Sequence, residues 1–219
     1  MSDAARREFT SKEQLLLARL LGESSALGFL GSVPIEEHIG HSTRLAALLE
    51  RVGEVAGSAL DLGSGGGIPG LVLATYFREL SFTLLDSQRR RSEFLQSAAA
   101  ALSRELDVRA AVIHGRAEEC AREPTLDGAF DIVVARLFGP PAVVAECATR
   151  FLRLGGRLVV TEPPTSDSTR WKPEGLRELG LEIVQQVEKP LPAVVLVRFG
   201  AIDETMPRPN GVPRRKPLW

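Results

Sequence analysis

The chain has few cysteines and histidines, and this scarcity excludes several kinds of site. Its 219 residues include two cysteines and three histidines. Cys120 and Cys147 lie far apart in sequence, and no histidine lies near either of them at the spacing of metal ligands. A disulfide framework and a zinc site are therefore disfavoured, and we expect two reduced, structural cysteines and no metal.

Long apolar runs and a large net charge are also absent. No stretch approaches the roughly 20 apolar residues of a membrane span, and the N-terminal residues lack the apolar core of a secretory signal. We therefore expect a cytoplasmic protein without membrane contact. The net charge of −1 neither favours nor opposes nucleic-acid binding, which needs only a local basic patch. Such patches occur at 89–91 and after Glu204, where a solvated terminus is the simplest interpretation.

Short apolar segments alternate with segments of helical periodicity. Predicted strands are 58–62, 81–85, 109–114, 130–135, 157–161, 181–187 and 193–199, and predicted helices are 12–21, 39–51, 70–77, 89–102 and 141–152. Strands separated by helices predict a parallel sheet covered on both faces. Only five residues join the last two strands, too few for a crossover, so these two should be antiparallel.

The pattern predicts an α/β protein with a mostly parallel, seven-stranded, Rossmann-like sheet and an antiparallel C-terminal hairpin. We divide the chain into a helical N-terminal cap (1–55), the Rossmann-like domain (56–200) and a basic, proline-containing tail (201–219).

A glycine-rich turn follows the first strand and should form a ligand site. It contains Gly63, Gly65 and Gly67 and leads through Ile68 into a helix, so that a ligand can approach backbone N–H groups closely. A dinucleotide fingerprint would need glycine where Ile68 stands. Asp61, just before the turn, can meet an ammonium group directly or through water, although capping of the loop is an alternative role for it.

Further candidate residues follow the next strands. Asp86, with Ser87 beside it, ends the second strand and is placed to accept hydrogen bonds from both ribose hydroxyls. The backbone of Ala117 and Glu118 should border an adenine, although Glu118 also suits the first turn of a helix. Arg136 ends the fourth strand beside the expected switch point of the sheet, where the alternative is an ordinary surface residue. Together these residues favour S-adenosylmethionine over a dinucleotide.

Several segments in this order resemble one family, the small-subunit (16S) ribosomal RNA guanine-N7 methyltransferases, also called the glucose-inhibited division protein B family. The segments are 61–70, Leu85-Asp86-Ser87 with Phe94-Leu95, Gly115-Arg116-Ala117-Glu118, Phe130–Arg136, Leu154-Gly155-Gly156-Arg157-Leu158 and the tail at 207–218. The glycine turn is common to many methyltransferases, whereas the Arg-Ala-Glu segment, the arginine after the fourth strand and the tail are more specific.

The resemblance implies the class I methyltransferase fold, S-adenosylmethionine as cofactor and small-subunit ribosomal RNA as partner. It implies cofactor contacts at Gly63, Ile68, Ala117, Glu118 and Arg136, with Asp86 on the ribose and Arg136 as the catalytic residue. The implied reaction is in-line methyl transfer to guanine N7, which carries no proton, so that no general base is needed. We expect the enzyme to be a monomer.

Four departures from the family's usual sequence lie on the expected substrate side. They are Leu27-Gly28-Phe29 in place of Asn-Leu-Thr, His41 in place of an acid, Leu137 in place of a small residue and Glu162 in place of a lysine. They leave open a diverged methyltransferase that acts on another RNA or a small molecule. A non-catalytic RNA-binding assembly module is a weaker alternative because the glycine turn and Asp86 are intact. We expect His38 and His41 to cap or pack a helix.

Overall fold

Seven strands form one sheet in the computed structural model, which describes residues 7–166 and 168–219. The strands are Ser58–Leu62 (β1), Ser81–Asp86 (β2), Ala110–His114 (β3), Phe130–Arg136 (β4), Leu152–Thr161 (β5), Leu181–Val187 (β6) and Ala193–Arg198 (β7). Their order is β3-β2-β1-β4-β5-β7-β6, and only β7 runs antiparallel to its neighbours. The predicted α/β class and the antiparallel final pair are confirmed.

Eight helices of the described residues cover the sheet. They are Ser11–Ala26 (α1), Ile35–Val52 (α2), Gly70–Tyr76 (α3), Arg89–Leu106 (α4), Ala117–Cys120 (α5), Pro141–Thr149 (α6), Pro173–Glu178 (α7) and Val212–Arg215 (α8). Helix α1 begins one residue before the predicted start because Thr10 and Glu13 form a reciprocal capping box. Helices α5, α7 and α8 are additional to those predicted.

The predicted helix 141–152 is wrong at its C-terminal end. Helix α6 stops at Thr149, and Leu152 already belongs to β5. The backbone N–H of Phe130 donates to Phe151 O at 2.9 Å, and that of Gly128 donates to Arg150 O at 2.8 Å. These long-range bonds draw the chain into the sheet, and helical periodicity within the segment carries no information about them.

Side-chain alternation along β1 assigns the two faces of the sheet to different helices. Leu60 and Leu62 pack with α5, α6 and α7, whereas Ala59 packs with α1 to α4. Each of these leucines is fully buried, which stabilises the fold by about 1.5–3 kcal/mol per side chain. Asp61 shares the face of Ala59, under α3. In the ranges 7–166 and 168–219, every helix is too short or too polar to traverse a bilayer.

The C-terminal segment packs on the protein, so the prediction of a solvated terminus is wrong. Arg208 donates from Nε and Nη2 to the two carboxylate oxygens of Glu146, at 2.8 and 2.6 Å, and its backbone N–H donates to the same carboxylate at 2.9 Å. Glu146 is completely buried on α6. At the end of the chain, Trp219 Nε1 donates to Arg170 O. The division at residues 55 and 200 stays a prediction, and the first six residues lie outside the described part of the chain.

Candidate cofactor site

A cavity of about 360 Å³ opens at the carboxyl ends of β1, β2, β3 and β4. The chain runs from β1 outward to β3 and then returns to the other side of β1 as β4. This reversal is a topological switch point, where open α/β sheets bind their ligands. The lining residues are Gly63, Leu85, Asp86, Ser87, Gln88, Arg91, Gly115, Arg116, Ala117, Glu118, Leu137, Phe138, Val143, Cys147 and Arg214.

Asp86 connects the glycine turn to the start of α4. Its Oδ2 accepts from the backbone N–H of Gly65 at 2.8 Å, and its Oδ1 accepts from that of Gln88 at 2.8 Å. These two bonds fix the carboxylate at the cavity wall. Each oxygen keeps further acceptor capacity, so the pair can still receive a vicinal diol. The structure therefore leaves the predicted ribose role available to Asp86.

Asp61 lies below the turn and is almost completely buried. Its Oδ2 accepts from the backbone N–H of Gly70 at 3.0 Å, so the loop-capping role is present. Its Oδ1 is buried without a hydrogen-bond partner among the described residues. Burial raises the pKa of this carboxyl from 3.8 to about 7, against the lowering effect of the Gly70 N–H and of the nearby Ser64 hydroxyl, which itself donates to the backbone O of Asp61. A buried acceptor without a partner is costly, and a cationic ligand group would satisfy it.

Gly63 allows an aromatic ring to close one side of the cavity. Its φ is +77°, and a Cβ at this position would lie 2.6 Å from the ring of Phe138. Any larger residue would both strain the backbone and displace the ring. The first glycine of the turn is therefore needed for the shape of the wall and for the turn itself.

Helix α5 brings Ala117 and Glu118 to the cavity, and the tail holds this helix. Glu118 Oε1 accepts from the backbone N–H of Gly211 at 3.0 Å. Asn210 bridges α5, since its Nδ2 donates to Glu119 Oε1 at 3.0 Å and its Oδ1 accepts from Arg116 Nε at 2.9 Å. The Glu118 side chain thus anchors the tail beside the pocket.

Sequence reasoning did not name Gln88, Val143 or Cys147 as site residues, and all three line the cavity. Val143 and Cys147 lie one helical turn apart on α6 and present an apolar wall. Arg214 of α8 donates from Nη2 to Phe138 O at 3.0 Å and so brings the basic tail to the cavity. Burial raises the pKa of the Cys147 thiol, which keeps it protonated. The two apolar residues four positions apart were visible in the sequence, but no local pattern indicated that they would line the cavity.

Five predicted site residues lie outside the cavity lining, namely Asp61, Gly65, Gly67, Ile68 and Arg136. The side chain of Ile68 is 5% exposed and packs in the core with α3 and α4. The Cα of Gly67 faces Leu71, and Gly65 contributes its N–H to Asp86. These residues shape the turn from behind, and direct ligand contacts at them stay predictions.

Arg136 lies half-buried at the end of β4 with His38 and His41 of α2 near it. Burial lowers the pKa of Arg136, and the Asp61 carboxylate opposes this effect. Burial, reinforced by the Arg136 charge, lowers the pKa of His41 to about 4 and lowers that of His38 as well. Both imidazoles are therefore neutral near pH 7. Neither caps α2, whose N-cap is Pro34, and His38 packs in the protein interior as expected.

Glu162 does not present a free negative charge. Its carboxylate accepts from Arg170 Nη1 at 2.9 Å and from Trp171 Nε1 at 3.2 Å, and its side chain is 8% exposed. The acid at this position is therefore neutralised within the protein. In the described residues, no three His, Cys, Asp or Glu side chains gather as a metal site.

Comparison with known proteins gives consistent results for family and fold. Residues 33–167 match the family model of rRNA small subunit methyltransferase G. The ribosomal RNA small subunit methyltransferase G of Alkaliphilus metalliredigens is 34% identical over 170 residues, which cover 74% of this chain and 70% of the relative. The protein of the same name from Deinococcus deserti is 36% identical over 168 residues, 73% of this chain and 68% of the relative.

Solved structures share the fold at lower identity. An S-adenosylmethionine-dependent methyltransferase from Aquifex aeolicus superposes with a TM-score of 0.57 at 14% identity, covering 81% of this chain and 98% of the other. This likeness confirms the methyltransferase fold.

Proposed function

The chain belongs to the small-subunit rRNA methyltransferase G family, and from this premise we propose that it methylates N7 of a guanine in small-subunit ribosomal RNA. The chain is a methyltransferase that uses S-adenosylmethionine. The single observation that supports this use of the cavity best is Asp61 Oδ1, a buried acceptor without a partner beside the glycine turn. We propose the ribosomal substrate because relatives at this identity carry that name.

The acceptor groups of the cavity wall and of the residue beneath its glycine turn fit S-adenosylmethionine. The two oxygens of Asp86 suit the ribose diol, and the unpartnered Oδ1 of Asp61 suits the α-ammonium group. Apolar surface from Ala117, Val143 and Phe138 suits the flat faces of adenine. A cavity of about 360 Å³ is in the size range of small-molecule sites.

The bound cofactor supplies an electrophilic methyl group on a sulfonium. The guanine N7 lone pair forms the new N–C bond while the S–C electron pair returns to sulfur, and the positive charge moves from sulfur to the base. No proton is transferred. The protein therefore needs to align the two reactants and exclude water, and no His/Asp or Cys/His pair is required.

Arg136 is the proposed catalytic residue. It lies at the switch point, and no hydrogen bond within the described part of the chain engages its guanidinium. Its donors are thus available to the guanine O6 or to a carboxylate of the cofactor. The His38 and His41 rings are neutral, and the cations that act on His41 are Arg136 and Arg44.

Basic side chains at the cavity favour an RNA substrate. Arg91, Arg116 and Arg214 all line it, and they come from α4, from the segment before α5 and from the tail. Convergence of cations from distant segments suits phosphate groups of a bound strand. Since RNA is the proposed substrate, we also propose that the protein acts in the cytoplasm. We further propose that it acts as a monomer and that α1 and α2 form a cap.

A diverged methyltransferase acting on another RNA or a small molecule is the second candidate. Leu137 and His41 favour it because both differ from the family's usual residues at the substrate side. Glu162 no longer favours it, since its charge is neutralised by Arg170.

The test begins with calorimetric titration of S-adenosylhomocysteine, with NAD as the comparison ligand. Asp86→Asn should weaken S-adenosylhomocysteine binding about tenfold or more, because it removes charge-assisted hydrogen bonds. Asp107→Asn makes the same chemical change at an exposed position at the end of α4 and should have no effect. NAD binding in preference to S-adenosylhomocysteine would contradict the cofactor assignment.

The substrate is tested with undermethylated small ribosomal subunits and S-adenosylmethionine tritiated in its methyl group. Mass spectrometry of the nucleosides should detect 7-methylguanosine. A different methylated nucleoside would contradict N7 as the target. Cofactor binding without any transfer to the subunits would contradict the RNA substrate.

A further inference from the structure

Leu137 combines two unusual features at the mouth of the cavity. Its φ is +55°, in the left-handed region that is unfavourable for a residue with a branched side chain. Its side chain is 82% exposed and lines the cavity. The only other non-glycine residue with positive φ among those described is Asp107, whose backbone N–H closes the end of α4. Leu137 ends no helix, so its conformation has another cause.

The backbone on both sides of Leu137 is fixed. Arg136 pairs with Thr161 at the end of the β4–β5 ladder. Phe138 is held by its ring against Gly63 and by its carbonyl oxygen, which accepts from Arg214. The chain must therefore turn within one residue. Strain maintained by a rigid surround is characteristic of functional sites.

The turn orients an apolar side chain into the open space beside Arg136. Burial in the core cannot account for this arrangement, because the side chain is mostly exposed. A single exposed leucine is ordinary on a protein surface. This one lines the same cavity as the cationic side chains Arg91, Arg116 and Arg214. An apolar platform among cations is complementary to a flat base attached to a phosphate backbone.

We propose that Leu137 is a substrate-positioning residue whose side chain packs against one face of the target guanine and holds N7 toward the methyl group. This inference rests on the proposed function. The base gains one fixed apolar contact, and the adjacent Arg136 supplies hydrogen-bond donors at its edge. The left-handed backbone is the geometry that brings both groups to the same base.

The test compares Leu137→Ala, Leu137→Met and Leu137→Gly with Leu15→Ala. Leu15 is 73% exposed on α1 and serves as the matched control. We expect kcat/KM for methyl transfer to undermethylated small subunits to fall about tenfold in Leu137→Ala, as for loss of one packed leucine face. Leu137→Met should restore most of the rate. S-adenosylhomocysteine affinity should fall by a smaller factor than kcat/KM, since Leu137 is 82% exposed at the mouth of the cavity and the ligand contacts at Asp86 are untouched.

Leu137→Gly separates positioning from stability. Glycine adopts positive φ freely, so the urea midpoint of this variant should equal or exceed that of the wild type. Its transfer rate should nevertheless fall at least as far as that of Leu137→Ala. The proposed role of Leu137 is refuted if Leu137→Ala leaves kcat/KM unchanged, or if it lowers kcat/KM and cofactor affinity by the same factor. Neither result contradicts the proposed function. A wild-type protein that binds the cofactor but methylates no small subunit refutes the proposed function, and the platform with it.

Discussion

Asp61 should make the stability of the free protein depend on pH in a direction unusual for a carboxyl group. Its pKa is raised from 3.8 to about 7 because it is buried. The folded state therefore favours the protonated form, and this contribution to stability is complete below pH 4. It declines as pH rises from about 4 to about 7, where the folded protein must bury a charge.

The size of the effect follows from the pKa difference. A tenfold change in proton affinity corresponds to about 1.4 kcal/mol, so the rise of the Asp61 pKa from 3.8 to about 7 corresponds to about 4 kcal/mol of unfolding free energy. Asp61→Asn carries no ionisable group and can still accept from Gly70 through its amide oxygen. Between pH 4 and pH 8, the wild type should lose up to about 4 kcal/mol of unfolding free energy relative to this variant.

Urea unfolding of both proteins between pH 4 and pH 8 measures this difference. Comparison of the two cancels other titrating groups and any pH-independent effect of the amide. Asp131→Asn is the control of opposite sign, since hydrogen bonds from Arg153 and Ser58 outweigh burial and lower the pKa of Asp131. Because this pKa lies below 3.8, Asp131→Asn and the wild type should have parallel profiles between pH 4 and pH 8, and the stability contributed by Asp131 should be lost only when the measurements are extended below pH 4. Parallel pH profiles for the wild type and Asp61→Asn would refute the reasoning.

Cofactor binding should show the complementary dependence. The ammonium group needs ionised Asp61, so affinity for S-adenosylhomocysteine should rise between pH 6 and pH 8 in the wild type. In Asp61→Asn the affinity should be lower and independent of pH in this range. Calorimetry at each pH measures both. Equal affinities at pH 8 would exclude Asp61 as the ammonium partner.

Two further substitutions test the docking of the tail on α6 and the shape of the cavity wall. Arg208→Ala leaves the fully buried Glu146 without its charged partner and should cost about 3 kcal/mol of unfolding free energy, because Arg208 is itself partly exposed. Urea unfolding measures this cost. Arg208→Lys keeps a positive charge and should lose less unfolding free energy than Arg208→Ala. A cost below about 1 kcal/mol for Arg208→Ala would argue against a structural role of the tail. Gly63→Ala adds a Cβ 2.6 Å from Phe138 at positive φ and should weaken S-adenosylhomocysteine binding at least tenfold by calorimetry. Unchanged affinity would show that the ring moves freely.

The sequence predicted the local elements of the fold well. Strands 58–62 and 181–187 agree with β1 and β6 at both ends. The glycine turn and Asp86 were identified because each directly follows a strand, and carboxyl ends of parallel strands meet at one edge. Periodicity and turn residues carry such information locally.

The docked tail could not be predicted from local pattern. Gly211 bonds to Glu118 across 93 positions, and Arg208 bonds to Glu146 across 62. In sequence, Arg208 and Arg214 are only part of a basic, proline-rich end. Which acid or carbonyl oxygen meets each cation depends on how α6 and α8 pack.

Individual roles within the candidate site were also decided by tertiary structure. Asp61 was predicted as either a loop cap or an ammonium partner, and its Oδ2 accepts from Gly70 whereas its Oδ1 has no partner among the described residues. Ile68 contributes to the core, and Glu162 is neutralised by Arg170. The sequence by itself determined which residues follow which strands. Only the tertiary structure decided which atoms remain without partners, because burial and pairing depend on segments that are distant in the chain.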